Sequence, residues 1–118
     1  MTEVINTEPK NLEAEMSVLG CAFLSSVALE KVSEELTADM FFDEKNRIIF
    51  NAMVEIHKRK DAIDATILKN EIEKINPINK SGGVEYLSEV IDSVVTASNV
   101  DSYINIIRQK FLRRKLIN

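Results

Sequence analysis

Tryptophan is absent from the 118 residues, and cysteine and histidine occur once each. A lone Cys21 excludes an internal disulfide and fits a reducing compartment. One cysteine and one histidine cannot assemble a structural zinc set. His57 sits in "EIHKRK" beside three cations and lacks the nucleophile and orienter of a catalytic triad, so it reads as a solvated imidazole. Three glycines and two prolines suit a helical protein better than a loop-rich β sandwich. No apolar run approaches the roughly 20 residues of a membrane span. The first ten residues, "MTEVINTEPK", hold two acids and no long apolar core, which is not the pattern of a signal peptide. The phosphate-loop pattern GxxxxGK(S/T) is also missing. "NKSGG" has its residue types in the wrong order and no strand before it, so no nucleotide hydrolysis is expected.

What remains is one domain's worth of chain. A hydrophobic content of 45% suffices for a single modest core, and 29% charged residues keep the surface wet. The formal charge of -4 argues against a general nucleic-acid binder. One asymmetry hides in that average: Arg108, Lys110, Arg113, Arg114 and Lys115 run together with no acid among them.

Helical periodicity dominates. Asn11 is a plausible N-cap, followed by Leu12, Met16, Leu19 and Phe23 at helical spacing. Ser25 or Ser26 can cap a short second helix carrying Val27, Leu29, Val32 and Leu36. "TADMFF" breaks the pattern and offers Phe41 and Phe42 as anchors. Asp43 can cap a third helix with the stripe Ile49, Ala52, Met53 and Ile56, closed by Lys58, Arg59 and Lys60. Asp64 can cap a fourth, with Leu68, Ile72 and Ile75, stopped by Pro77. A fifth carries Val84, Leu87, Val90, Ile91 and Val94. Ser98 with Asp101 reads as a capping box for a last helix bearing Val100, Tyr103, Ile104, Ile107, Phe111 and Leu116. "SVVTA" is the best strand candidate, too short and solitary to build a sheet. The expected fold is all-α: a compact orthogonal or antiparallel bundle of about six helices with short connections. The last helix has no stop signal, which reads as a chain cut from a longer protein.

Chemistry-bearing residues are few. Glu13 and Glu15, in "NLEAEMSVLG", lie two apart on a helix and cannot share a proton or a metal. In a first turn they offset the helix dipole by roughly a few tenths of a kcal/mol, and the plain reading is a solvated pair. An acid–base enzyme built on Glu13, or on Asp43 and Glu44, lacks a constellation. Cys21 follows Gly20 in an apolar helix and reads as a small hydrophobe. Gly20 would be offset by a close helix approach, and Gly82-Gly83 by a tight turn entering a helix. The basic run suits either a solvated, partner-facing surface or phosphate contacts, with only Phe111 for base stacking beside it.

The quoted "NLEAEMSVLG" resembles the opening signature of replicative DNA helicases of the DnaB type. "MFFDEKNRIIFNAM" at 40–53, "IDATIL" at 63–68, "GGVEYL" at 82–87 and "SNVDSYINIIRQKFLRRKLI" at 98–117 follow in the family's order, covering about residues 9–118. The pattern is departed from in three places: Met16 stands where glutamine is frequent, "MFF" replaces "DFY", and Asn46 stands where a histidine often precedes the arginine.

The resemblance implies the non-catalytic N-terminal domain of an ATP-dependent 5'-3' DNA helicase acting in the bacterial cytoplasm. The polar residues 1–10 read as a flexible leader; the resemblance implies a globular helical head over 11–97 and the first arm of a truncated helical hairpin over 98–118. The RecA-like motor domain, with its ATP and Mg, lies outside the chain, and no cofactor is expected within it. The implied partners are further copies of the chain, as a hexamer collar in the parent, and the primase C-terminal domain. A helicase loader is a further candidate; no membrane and no strong direct DNA contact are expected. Glu13, Tyr86, Arg108 and Arg114 become candidate partner contacts, although a half-buried core position for Tyr86 stays open. Phe111, Leu112, Leu116 and Ile117 would face the missing second arm and support self-association. The alternative is a freestanding helical regulator that binds nucleic acid through the basic last helix.

Overall fold

A computed structural model describes residues 8–75 and 78–116. Six helices follow one another: α1 (Leu12–Leu24), α2 (Ser26–Glu35), α3 (Glu44–Lys58), α4 (Ala65–Ile75), α5 (Gly83–Ile91) and α6 (Val100–Leu116). Short 3-10 turns occupy Ala38–Met40 and Ile78–Ser81. The described residues include no strand, and "SVVTA" is irregular chain between α5 and α6.

Four of the expected caps form. Asn11 Oδ1 accepts from Ala14 N at 3.0 Å. Ser25 serves two helices at once: its N–H donates to Cys21 O, ending α1, and its Oγ accepts from Ala28 N, starting α2. One extended residue therefore turns the corner between them. Asp43 accepts from Lys45 N at 2.9 Å, and Asp64 from Ile67 N at 2.8 Å. The α4 pattern ends at Ile75; Pro77 lies outside the described residues. The Ser98–Asp101 capping box does not form as expected. The last helix starts at Val100, and Asp101 instead reaches Lys31 of α2 at 2.9 Å. A cross-helix cation competes for the carboxylate that a local box would have used.

α1 is the central element, packed against α2, α3, α5 and α6. Eight of its residues are buried, as a helix enclosed on several sides requires. Gly20 permits this: a Cβ there would come within 2.8 Å of Val90 O, at the end of α5. The core joins Val18 and Leu19 to Ile49, Met53 and Ile56 of α3, Leu68 and Ile72 of α4, Val90 of α5, and Ile104 and Ile107 of α6. Phe41 enters the same core, its ring 5.1 Å from that of Phe50. Val84 stays half exposed, at the edge of the α5 stripe.

Candidate interaction surface

The segment between α2 and α3 is held by charged side chains from three helices. Glu15, on α1, is 2% exposed. Its Oε2 accepts from Phe42 N at 2.6 Å, and its Oε1 from Asp43 N at 3.3 Å and Asn46 Nδ2 at 2.9 Å. Arg47, on α3, donates from Nη1 to Phe41 O at 2.9 Å and Phe42 O at 2.8 Å. Arg114, on α6, donates from Nη2 to Met40 O at 2.8 Å. Residues 40–43 thus have backbone donors met by a carboxylate and carbonyls met by two guanidinium groups. Such charge-assisted bonds satisfy groups that burial would otherwise leave without water.

This corrects the solvated reading of Glu15. Glu13 is exposed on the first turn of α1, whereas Glu15, two residues on, points into the protein. Asn46, 0% exposed, extends the network: its Oδ1 accepts from the Tyr86 hydroxyl on α5. The amide supplies one donor and one acceptor in opposite directions, as a neutral imidazole can.

Tyr86 is half-buried, with its polar end turned inward. Lys45 Nζ lies 5.1 Å from its ring centroid. Burial, with the Asp43, Glu15 and Glu89 carboxylates nearby, pushes the phenol up to about 12, against the opposing pull of Asn46. Gly82, with φ of 95°, lets the chain pass under this ring; a side chain there would meet Tyr86 and Lys45.

The basic run on α6 is largely engaged. Arg108 Nη1 lies 3.1 Å from Glu35 Oε1. Arg114 also donates from Nη1 to Pro9 O at 2.8 Å. Lys115 Nζ sits 5.0 Å over the Phe111 ring. Leu112 and Leu116 lie one turn apart on another side of the helix, 59% and 84% exposed. With Gln109 and Arg113 they line an open apolar groove. Phe111 does not share it: its ring lies against Arg114 and Lys115, and Ile117 lies outside the described residues. Among the described residues no three His, Cys, Asp or Glu side chains are placed to hold a metal ion, and no helix is long and apolar enough to cross a membrane.

Glu15, Asn46 and Arg47 were not among the site candidates drawn from sequence. Their signal was present in two quoted motifs, where a carboxylate sits in an apolar helix and an Asn-Arg pair follows a helix cap.

Fold and geometry define a class first: an all-α domain whose central polar groups are spent on its own backbone, with an apolar face left open on its last helix. Comparison with known proteins agrees. A family model, the DnaB-like helicase N-terminal domain, matches residues 7–109. The chain is 35% identical over 119 residues to the replicative DNA helicase DnaC of Bacillus subtilis, covering 99% of this chain and 26% of that protein. It is 38% identical over 109 residues to the replicative DNA helicase DnaB of Geobacillus stearothermophilus, covering 92% and 24%. The crystal structure of the N-terminal domain of DnaB helicase from Mycobacterium tuberculosis matches with a TM-score of 0.87 at 32% identity, covering 94% of this chain and 79% of that one. The chain belongs to the DnaB-like helicase N-terminal domain family, and it spans about a quarter of the length of these helicases.

Proposed function

We propose that this chain acts as the non-catalytic N-terminal domain of a bacterial replicative DNA helicase, assembling subunits into a hexamer collar and docking the primase C-terminal domain. ATP and Mg would be handled by a motor domain outside residues 1–118. The observation that carries the reading is the exposed pair Leu112 and Leu116 on one side of α6. Two large apolar side chains one turn apart are the start of a helix-packing stripe.

Magnitudes fit assembly rather than tight solitary pairing. Burying the exposed parts of two leucines on each of two copies supplies about 4–9 kcal/mol gross. Association costs about 4–15 kcal/mol before any net affinity appears. A lone arm therefore pairs weakly, and a second arm has to add area. Primase held on such a collar gains effective concentration beside the template without new chemistry. Glu13, exposed on α1, and Arg108, exposed on α6, are the candidate contacts with charge to offer; Tyr86 and Arg114, half-covered and bonded within the domain, would meet a partner only through the part of each left at the surface.

Light scattering on the chain with and without a primase C-terminal fragment tests this. A complex of added mass is expected. Absence of that complex, together with steeply salt-dependent binding of short DNA, would favour the nucleic-acid regulator instead.

A further inference from the structure

Arg114 joins three segments that are far apart in sequence. Its guanidinium donates to Pro9 O and to Met40 O, both at 2.8 Å. Its Cζ lies 5.6 Å from the Phe42 ring centroid and 5.7 Å from that of Phe111. Lys10 Nζ sits 4.6 Å over the same Phe42 ring. Pro9 and Lys10 have no regular secondary structure, yet they are partly covered.

α6 itself divides in two. Val100, Ile104 and Ile107 are buried, and no residue from Arg108 to Leu116 is. The distal half leans on the head through side chains. One such contact, Arg108 with Glu35, joins two exposed groups and contributes little in water. Arg114 is different, because a planar guanidinium forked onto two carbonyls and flanked by rings is satisfied only while all its partners are in place. An irregular strap and an exposed half-helix are also the parts of a fold that open first.

We propose that Arg114 is a releasable latch between the Pro9–Lys10 strap and the distal half of α6. With the strap seated, the latch fixes the direction in which Leu112 and Leu116 face. With the strap lifted, the distal half loosens while the head stays folded. Linkage makes the coupling reciprocal: whatever seats on Leu112 and Leu116 in one arm direction favours the matching position of the strap. The latch stands independently of what docks on that face.

Hydrogen–deuterium exchange on the full chain tests it, beside Arg114→Ala, Arg114→Lys and a variant lacking residues 1–10. In Arg114→Ala and in the shortened variant, amides of 109–116 should exchange faster by about tenfold, while α1, α3 and residues 100–107 keep wild-type protection. Cleavage after Lys10 by a lysine-specific protease should accelerate several-fold in Arg114→Ala. Arg114→Lys keeps the charge without the fork and should fall between wild type and Arg114→Ala. Unchanged exchange in 109–116, or an equal rise throughout the protein, would overturn the latch. So would wild-type behaviour of Arg114→Lys, since the fork would then be idle.

Discussion

Removing the Glu15 carboxylate would leave Phe42 N, Asp43 N and the buried Asn46 Nδ2 without their acceptor in a place partly shielded from water. Three donors left bare cost far more than the few tenths of a kcal/mol assigned to a dipole-facing acid. Glu15→Ala should therefore lower the unfolding free energy by about 3 kcal/mol, read by urea denaturation. Glu13→Ala should stay within about 0.5 kcal/mol of wild type, as exposed positions do. Equal effects at the two positions would contradict the geometry. The Tyr86 phenol makes a second prediction. Held at about 12 against the usual 10.0, it keeps its proton in the folded state after the unfolded chain has lost it. Stability from this group is complete below pH 10 and is lost as pH rises towards 12. Tyrosinate absorbance should show the Tyr86 phenol ionising late, and Tyr86→Phe should remove that step.

At the scale of elements, local chemistry placed the first four helices well because each of those starts carries its own cap: Asn11, Ser25, Asp43 and Asp64 act where their spacing predicts. Gly20 was legible for the same kind of reason, since a glycine within an apolar helix implies a close neighbour. Long-range partners were not legible. Periodicity separates Glu13 from Glu15 by direction but does not say that residues 40–43 fold over one of them. Nor does a run of cations reveal that Arg114 will spend its donors on Pro9 and Met40, or that Asp101 will leave Ser98 for Lys31. One terminus was also hidden. Lys60 takes a φ of 61° after α3, where Lys60 N donates to His57 O and Asp61 N to Ile56 O. A left-handed residue ending a helix is normally glycine, and a side chain there costs about 1 kcal/mol. Lys60→Gly should stabilise the domain by about that amount in urea melts. Destabilisation would mean that the lysine side chain makes a contact worth more than its strain.

At the scale of the whole molecule, α6 presents two unlike sides. One carries Phe111 with Arg114 and Lys115, turned towards the Phe42 turn; the other carries Leu112 and Leu116, turned to solvent. The family resemblance puts Phe111, Leu112, Leu116 and Ile117 on one face towards a second arm; among the described residues, Phe111 parts from the two leucines. A helix advances about 100° per residue, so neighbours 111 and 112 can serve different surfaces. This division changes which substitution tests assembly. Leu112→Glu and Leu116→Glu place charge on the open side and touch no core contact. Each should abolish any rise in mass with concentration, measured by sedimentation, while leaving the helical signal unchanged. Phe111→Ala should leave self-association in place and instead disturb the Arg114 cluster. If Phe111→Ala alone dissolves the assemblies, and both leucine substitutions leave them intact, the apolar face that carries the proposed function lies on the other side of α6.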